Sequence, residues 1–237
     1  MGPSTASPGS PAPDSPAPAQ PASPQPASPQ PGSPQPEITL NAAPREDTCL
    51  DYANTCMWRG TATPVDQLAA LTDVLNQVVE TAGLPPETAA ALRTWAAANP
   101  YPAGTLFVAA IALREAIYRI FSAISSTSPV PDADIAALNR ALAEAPPRAG
   151  LTRLTGAYAW HIEPTRLSAP ALLAPILWSA ADLLVQVPQR RIRQCANPQC
   201  LWLFIDASKN GTRRWCDMTA CGNRAKAHRH YLKSKQR

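Results

Sequence analysis

Four of the six cysteines fall within residues 195–221, as Cys195 and Cys200, then fifteen intervening residues, then Cys216 and Cys221. Two close pairs at that separation let two short turns meet around one tetrahedral metal ion. Four thiolates fill the coordination sphere of zinc, so the cofactor expected is one structural Zn2+ with no open position for catalysis. Neighbouring arginines would help ionise the thiols and offset the dianionic zinc–tetrathiolate centre. The competing reading is two disulfides or four unrelated thiols. The opening residues show neither a basic n-region nor an apolar h-region, so no secretory signal is read and the disulfide reading is weak. The apolar reserve of this end is small, chiefly Leu201, Trp202, Leu203, Phe204, Ile205, Trp215 and Met218. Metal binding, which supplies an apparent ~10–16 kcal/mol in small modules, is therefore expected to fold it.

Charge sorts the chain the same way. Residues 188–237 hold 12 Lys/Arg against Asp206 and Asp217, a net of +10; residues 1–187 hold 9 against 15 Asp/Glu, a net of −6, which together give +4. An acidic body with a basic end suits an anionic partner. From Asn223 to Lys235 no proline or glycine interrupts, and a helix is expected. Lys226, Arg229 and Lys233 would share one face, with Arg224 on the neighbouring row, and Arg213 and Arg214 would approach from the other side of the module. These six residues are the expected nucleic-acid contacts, DNA before RNA, gripping phosphates through a helix laid in a groove; a merely solvated charged face is the alternative. Trp202 and Trp215 would pack the zinc core; stacking on unpaired RNA bases is the other reading of them.

Positioning these groups falls to the preceding residues. Residues 1–36 carry 13 of the 28 prolines, with a Pro-Ala/Gly-Ser-Pro-Gln repeat, and read as a disordered, polyproline-like tail. Residues 37–187 read as a mainly α body. Thr63-Pro64 opens a helix running to Gly83, Pro86-Glu87 a second, and the surroundings of Pro102 a long core helix through Ile124. Asp132 caps a shorter one. Ser168 begins the last, in which Pro175 is either a kink or the true start. Only residues 157–162 alternate like a strand. Cys49 and Cys56, seven apart, would lie two turns along one helical face as buried thiols, with a redox sensor as the sharper alternative. Asp51, Asn54 and Arg59 form a polar cluster in an apolar body; they either satisfy one another or cap helices, or else line a ligand pocket.

Several classes drop out. No apolar run reaches the length of a membrane span. Phosphate-cradle, dinucleotide, serine-elbow and H-E-x-x-H motifs are absent. His161-Ile162-Glu163 supplies half of a zinc-deaminase signature, but no P-C-x-x-C follows, so no enzyme is expected.

Residues Arg193 to Cys200, Leu203-Phe204-Ile205-Asp206, Arg213-Arg214-Trp215-Cys216 and Cys221-Gly222-Asn223-Arg224 together resemble the CGNR zinc-finger family. Leu50-Asp51-Tyr52-Ala53-Asn54-Thr55, then Arg59, and Leu113-Arg114-Glu115-Ala116 resemble the ABATE domain that precedes such fingers. The resemblance implies a treble-clef-like zinc module at residues 188–237 behind a helical regulatory domain at 37–187, in a bacterial, stress-responsive transcription regulator. The proline tail is not required by that pattern. The partners expected are DNA, a small-molecule effector for the helical domain and a second copy of the chain, with no membrane. The location expected is the cytoplasm, on the nucleoid when DNA is bound. A zinc-dependent protein-interaction adaptor and an RNA-binding module are the competing functions.

Overall fold

Strand β1 (Glu37–Ala42) directs Ile38, Leu40 and Ala42 inward by simple alternation, and each is buried. The computed structural model describes residues 1–2, 35–187 and 190–235, without the side chains of 228–230 and 232–233. The proline repeat lies outside these residues. The described residues from 35 to 235 belong to one compact unit.

After β1 come α1 (Thr48–Ala53), a ribbon of β2 (Cys56–Met57) and β3 (Val65–Asp66), then α2 (Leu71–Ala82), α3 (Pro86–Ala98), α4 (Pro100–Ser125) and α5 (Asp132–Glu144). A hairpin of β4 (Gly150–Leu154) and β5 (Ala157–Arg166) leads to α6 (Ala169–Leu172) and α7 (Ala174–Val185). The C-terminal part holds β6 (Ile192–Gln194), β7 (Leu203–Ile205), a π-helical turn (Met218–Gly222) and α8 (Asn223–Lys235). The described residues thus contain eight α-helices, and α-helix dominates as expected. The antiparallel sheet of order β1-β5-β4 is larger than the single strand read from sequence, and β1 pairs with β5 across more than a hundred residues.

Helix α4 is the axis. Leu106, Ala110, Ile117, Ile120 and Phe121 recur at helical spacing and are buried, as an apolar stripe requires. Tyr52 of α1 donates its hydroxyl to the Ala110 carbonyl at 2.9 Å, so a buried polar group of α1 is satisfied by the axis. Helix α7 closes the far side, where Ser179 Oγ accepts the Cys49 N–H at 3.1 Å.

Local signals place the starts of α3 at Pro86 and of α5 at Asp132, and fail at the start of α2. Gly83 ends α2 with φ +79 and donates to the Val78 carbonyl, the left-handed cap that glycine tolerates best. The helix starts at Leu71 and not at Thr63-Pro64, because Val65–Asp66 pair with Cys56–Met57 and Arg114 holds Asp66. Asp73 then caps the first turn, accepting from the N–H groups of Ala69 and Ala70 at 2.9 and 3.0 Å. Ser168 does cap a helix, but that helix stops at Leu172, and Pro175 sits in the first turn of α7, where its missing N–H costs nothing. Cys49 and Cys56 do not share a helical face: α1 ends at Ala53 and Cys56 lies in β2.

Candidate metal centre

Strands β6 and β7 pair antiparallel, Ile192 with Ile205 and Gln194 with Leu203, and the chain between them is the first cysteine knuckle. Cys195 N–H donates to the Trp202 carbonyl at 2.8 Å and Cys200 N–H to the Asn197 carbonyl at 2.9 Å. The turn closes through Leu201 in the left-handed region, φ +60. Beyond β7, the buried carboxylate of Asp206 gathers the next loop. It accepts from the N–H of Ser208 at 3.0 Å, the N–H of Arg213 at 3.1 Å and Arg193 Nε at 3.1 Å. Those bonds, with one from the Ser208 hydroxyl as the largest cause, hold its pKa below the usual aspartate range. Asp217 caps the π-helical turn through the N–H of Ala220 at 2.7 Å, which brings Cys221 back toward Cys216.

The four sulfurs lie within 4.8 Å of one another, and no other such group of possible ligands occurs among the described residues. The Cys200–Cys216 and Cys216–Cys221 separations are 3.7 and 3.9 Å. A tetrahedron with metal–sulfur bonds of about 2.3 Å has edges of about 3.8 Å, whereas a disulfide needs about 2.05 Å. The geometry therefore fits a zinc ion, and all six cysteines are free thiols. Hydrogen bonds among the sulfurs draw the Cys195 pKa far down and push those of Cys200 and Cys216 up. Thiols packed this closely cannot all ionise unless a cation sits among them. Asn197 Nδ2 donates to Cys221 Sγ at 3.6 Å, an outer support of the kind that orients metal ligands. Trp58, Trp202 and Trp215 pack against the cysteines.

The helical body grips this module directly. Asn54 pairs its side-chain amide with both backbone groups of Leu203, donating to the carbonyl and accepting from the N–H, each at 2.9 Å. Tyr118 of α4 donates to the Leu201 carbonyl at 3.1 Å, and Gln194 donates to Tyr118 and Ser122 at 3.0 and 3.1 Å. Gly60 lies so close to the Pro198 carbonyl that a Cβ there would overlap it, and its N–H donates to Gln199 at 3.2 Å. Ile192 and Leu203 belong to the main apolar core.

The polar cluster read from sequence is divided. Asp51 pairs with Arg45 at the surface, Asn54 holds Leu203, and Arg59 forms a two-pronged pair with Glu115 at 2.8 and 2.9 Å. None of the three bonds another, which corrects that part of the expectation, while Asn54 does stand at the C-cap of α1, its N–H donating to the Leu50 carbonyl at 2.9 Å. Asp51 and Asn54 do line a common cavity of about 500 Å³ with Trp202, Leu203 and Cys216, while Arg59 lies elsewhere. Arg59 sits 3.9 Å over the Tyr118 ring and joins a network that sequence reading missed. Arg114, 2% exposed, binds Asp66 through both terminal nitrogens at 2.6 Å and Glu115 through Nε at 2.9 Å. Burial works to raise Asp66 and Glu115, but the guanidinium groups prevail and hold both below the ordinary carboxylate range. The signal was present: Arg114-Glu115 are the first charges in α4 after fourteen uncharged residues.

Of the expected DNA contacts, Arg214, Arg224 and Lys226 are exposed and have no carboxylate partner among the described residues. Arg213 is spent internally: its Nε donates to the Trp215 carbonyl at 2.9 Å, Nη2 donates to the Cys216 carbonyl, and the guanidinium lies 4.5 Å over Phe204. The side chains of Arg229 and Lys233 lie outside the described residues. His161, half of the deaminase signature, bonds Asn41 at 2.8 Å within the sheet and contributes nothing to the cysteine site. No helix among the described residues is long and apolar enough to cross a membrane.

Comparison with known proteins agrees with this division. The ABATE family model, described as "Putative stress-induced transcription regulator", matches residues 46–187, and the CGNR zinc finger model matches residues 191–234. No curated protein matches the chain. With a match that spans more than half of its length and its four sulfurs gathered in the second matched segment, the chain belongs to the ABATE family and carries a CGNR zinc finger after that domain.

Proposed function

We propose that the chain is a DNA-binding transcription regulator without catalytic chemistry, in which one structural zinc ion folds residues 191–235 and their basic face grips duplex phosphates. The observation that carries the reading is the set of exposed, unpaired cations beside the zinc ligands: Arg214 precedes the third ligand by two residues, and Arg224 and Lys226 follow the fourth on α8. Cations held free of carboxylates by a rigid frame are poised to release counterions from a polyanion. The arrangement of a cysteine knuckle between two short strands, with the fourth ligand at the foot of a helix, supports the treble-clef-like description.

The helical body is the sensing half of this proposal, acting in the cytoplasm. Its support is the cavity between α1 and β7, whose wall includes Asp51, Asn54 and the zinc ligand Cys216. A small polar ligand lodged there would touch both halves at once, and the Asn54–Leu203 pairing would carry the change.

The test is fluorescence anisotropy of the zinc-loaded full chain with genomic duplex fragments across a salt series, alongside structured RNA. Duplex binding that weakens with salt and with Arg214→Gln is expected. Preference for RNA would replace DNA with RNA as the partner. Failure to bind either, with capture of an acidic protein instead, would favour the adaptor.

A further inference from the structure

The basic face contains a groove that duplex phosphates alone do not need. It has a volume of about 650 Å³ and is lined by Ala196, Asn197, Pro198, Arg214, Trp215 and Arg224. Its walls are mostly apolar, yet two unpaired guanidinium groups stand at its edge. Each is backed by an indole: Arg214 lies 5.5 Å over the Trp215 ring and Arg224 lies 4.7 Å over Trp58. Aromatic backing fixes the plane of a guanidinium and leaves its outer N–H groups free for two oxygens of one oxyanion. The groove is also rigid. Ala196 N–H donates to the Arg214 carbonyl at 2.8 Å, and Asn197 is tied to Cys221 and to the Gln199 N–H.

A phosphate on the rim would satisfy the two arginines but leave the apolar interior unfilled. An anion joined to a flat, largely apolar ring system would use both. We propose that this groove takes a single nucleoside 5′-phosphate, with its phosphate on Arg214 and Arg224 and its base against Trp215 and Pro198. The inference rests on the reading of this face as one that meets nucleic acid, and it narrows what enters the groove to one unpaired nucleotide. That nucleotide can be free in solution or the unpaired end of a strand; the chemistry recognised is the same.

Trp58 belongs to the helical body, while the groove belongs to the zinc module. The body therefore helps set the grip by holding Arg224, with Gly60 seated on Pro198 beneath the same wall. Trp58 is a positioning residue in this scheme.

The experiment is calorimetric titration of the zinc-loaded full chain with adenosine 5′-monophosphate, adenosine and inorganic phosphate, with zinc content measured in every variant. The mononucleotide is expected to bind at least about tenfold more tightly than either fragment, since a charge-assisted pair and base stacking add. Arg214→Gln and Arg224→Gln should each weaken it about tenfold at unchanged zinc content. Trp58→Ala should weaken it less, and Trp58→Phe should restore most of the loss. Ala196→Trp, which fills the groove and removes no charge, should abolish mononucleotide binding while leaving a blunt duplex bound as before.

A mononucleotide no tighter than inorganic phosphate, or an Ala196→Trp variant that still binds it, overturns the inference. If the mononucleotide fails and the blunt duplex binds, the regulator reading survives without the groove. If the mononucleotide binds and the duplex does not, the groove stands and the duplex reading falls. A duplex with a 5′-phosphorylated single-stranded overhang separates the two sources. Tighter binding than to the blunt duplex, lost in Ala196→Trp, assigns the groove to a strand end; equal binding assigns it to a free nucleotide.

Discussion

The side-chain amide of Asn54 meets Leu203 as one strand meets another, donating to its carbonyl and accepting from its N–H, both at 2.9 Å. Only asparagine or glutamine offers a donor and an acceptor in that geometry, and Leu203 is the residue opposite Gln194 in the β6–β7 pair. The helical body thus supplies the missing neighbour of β7. Asn54→Ala would leave two backbone groups in a half-buried seam without partners, at about 1–3 kcal/mol each. Unfolding should then split, with the zinc module melting before the body. Asn54→Asp keeps the acceptor but sets a carboxylate against the Leu203 carbonyl, so it should be as damaging as alanine. A single transition at the parent temperature in either variant would show that the pairing carries no coupling.

Zinc should decide which thiols react. Burial pushes the Cys49 thiol up to about 12 and also raises Cys56, so neither forms thiolate near neutral pH. A bound zinc ion would shield the other four. Alkylation of the native protein is expected to be slow at all six, and a chelator should release four fast-reacting thiols while Cys49 and Cys56 lag. Mass mapping of the labelled sites checks this. Fast labelling of Cys49 or Cys56 before chelation would instead support the redox-sensor reading. Cys216→Ser should lose stoichiometric zinc and the structure of residues 191–235, because three thiolates leave the sphere open.

Much of this was legible in the chain, and the parts that were not share a cause. The cysteine cluster could be read because its four members lie within a short span and their chemistry is local. Helix α4 could be read because its stripe repeats through Leu106, Ala110, Ile117 and Ile120. By contrast, β1 is a strand because residue 40 finds residue 162, and α2 starts late because Arg114 claims Asp66 from 48 positions away. Pairings of that range leave no periodic trace. Asp51, Asn54 and Arg59 stand out in the sequence as polar groups that need partners, and they have them, but each partner sits in a different part of the chain. Trp58 gave no signal, since its role depends on Arg224 lying over it after the chain has folded.

Acid should loosen the seam between α4 and the β2–β3 ribbon. Asp66 and Glu115 titrate below their ordinary range in the folded state, so the unfolded chain binds protons first as pH falls. Their stabilising contribution is complete above the ordinary carboxylate range of about 4 and is lost as pH drops through it toward the lowered native values. The melting temperature should therefore hold steady from neutral pH to about pH 5 and decline below that. Glu115→Gln should lower the neutral value, since Arg59 and Arg114 lose a shared anion, and flatten the decline. A parallel decline in parent and variant would remove Glu115 from the account.

Salt dependence can separate arginines that grip nucleic acid from those that hold the module together. Each phosphate neutralised contributes about −0.9 to the slope of log affinity against log salt, so four to six contacts give a slope between about −3.5 and −5.5. Arg214→Gln and Lys226→Gln should each make that slope shallower by about 0.9 and leave zinc content alone. Arg213→Gln should behave differently, although it lies one residue from Arg214. Its donors serve the carbonyls of Trp215 and Cys216, beside the third ligand, and its plane covers Phe204. Losing them should lower stability and speed zinc loss to a chelator, with the salt slope of the folded fraction unchanged. A shallower slope at full zinc occupancy in Arg213→Gln would place that side chain on the phosphates after all, and would mean that the bonds to its own backbone are exchanged for DNA on binding.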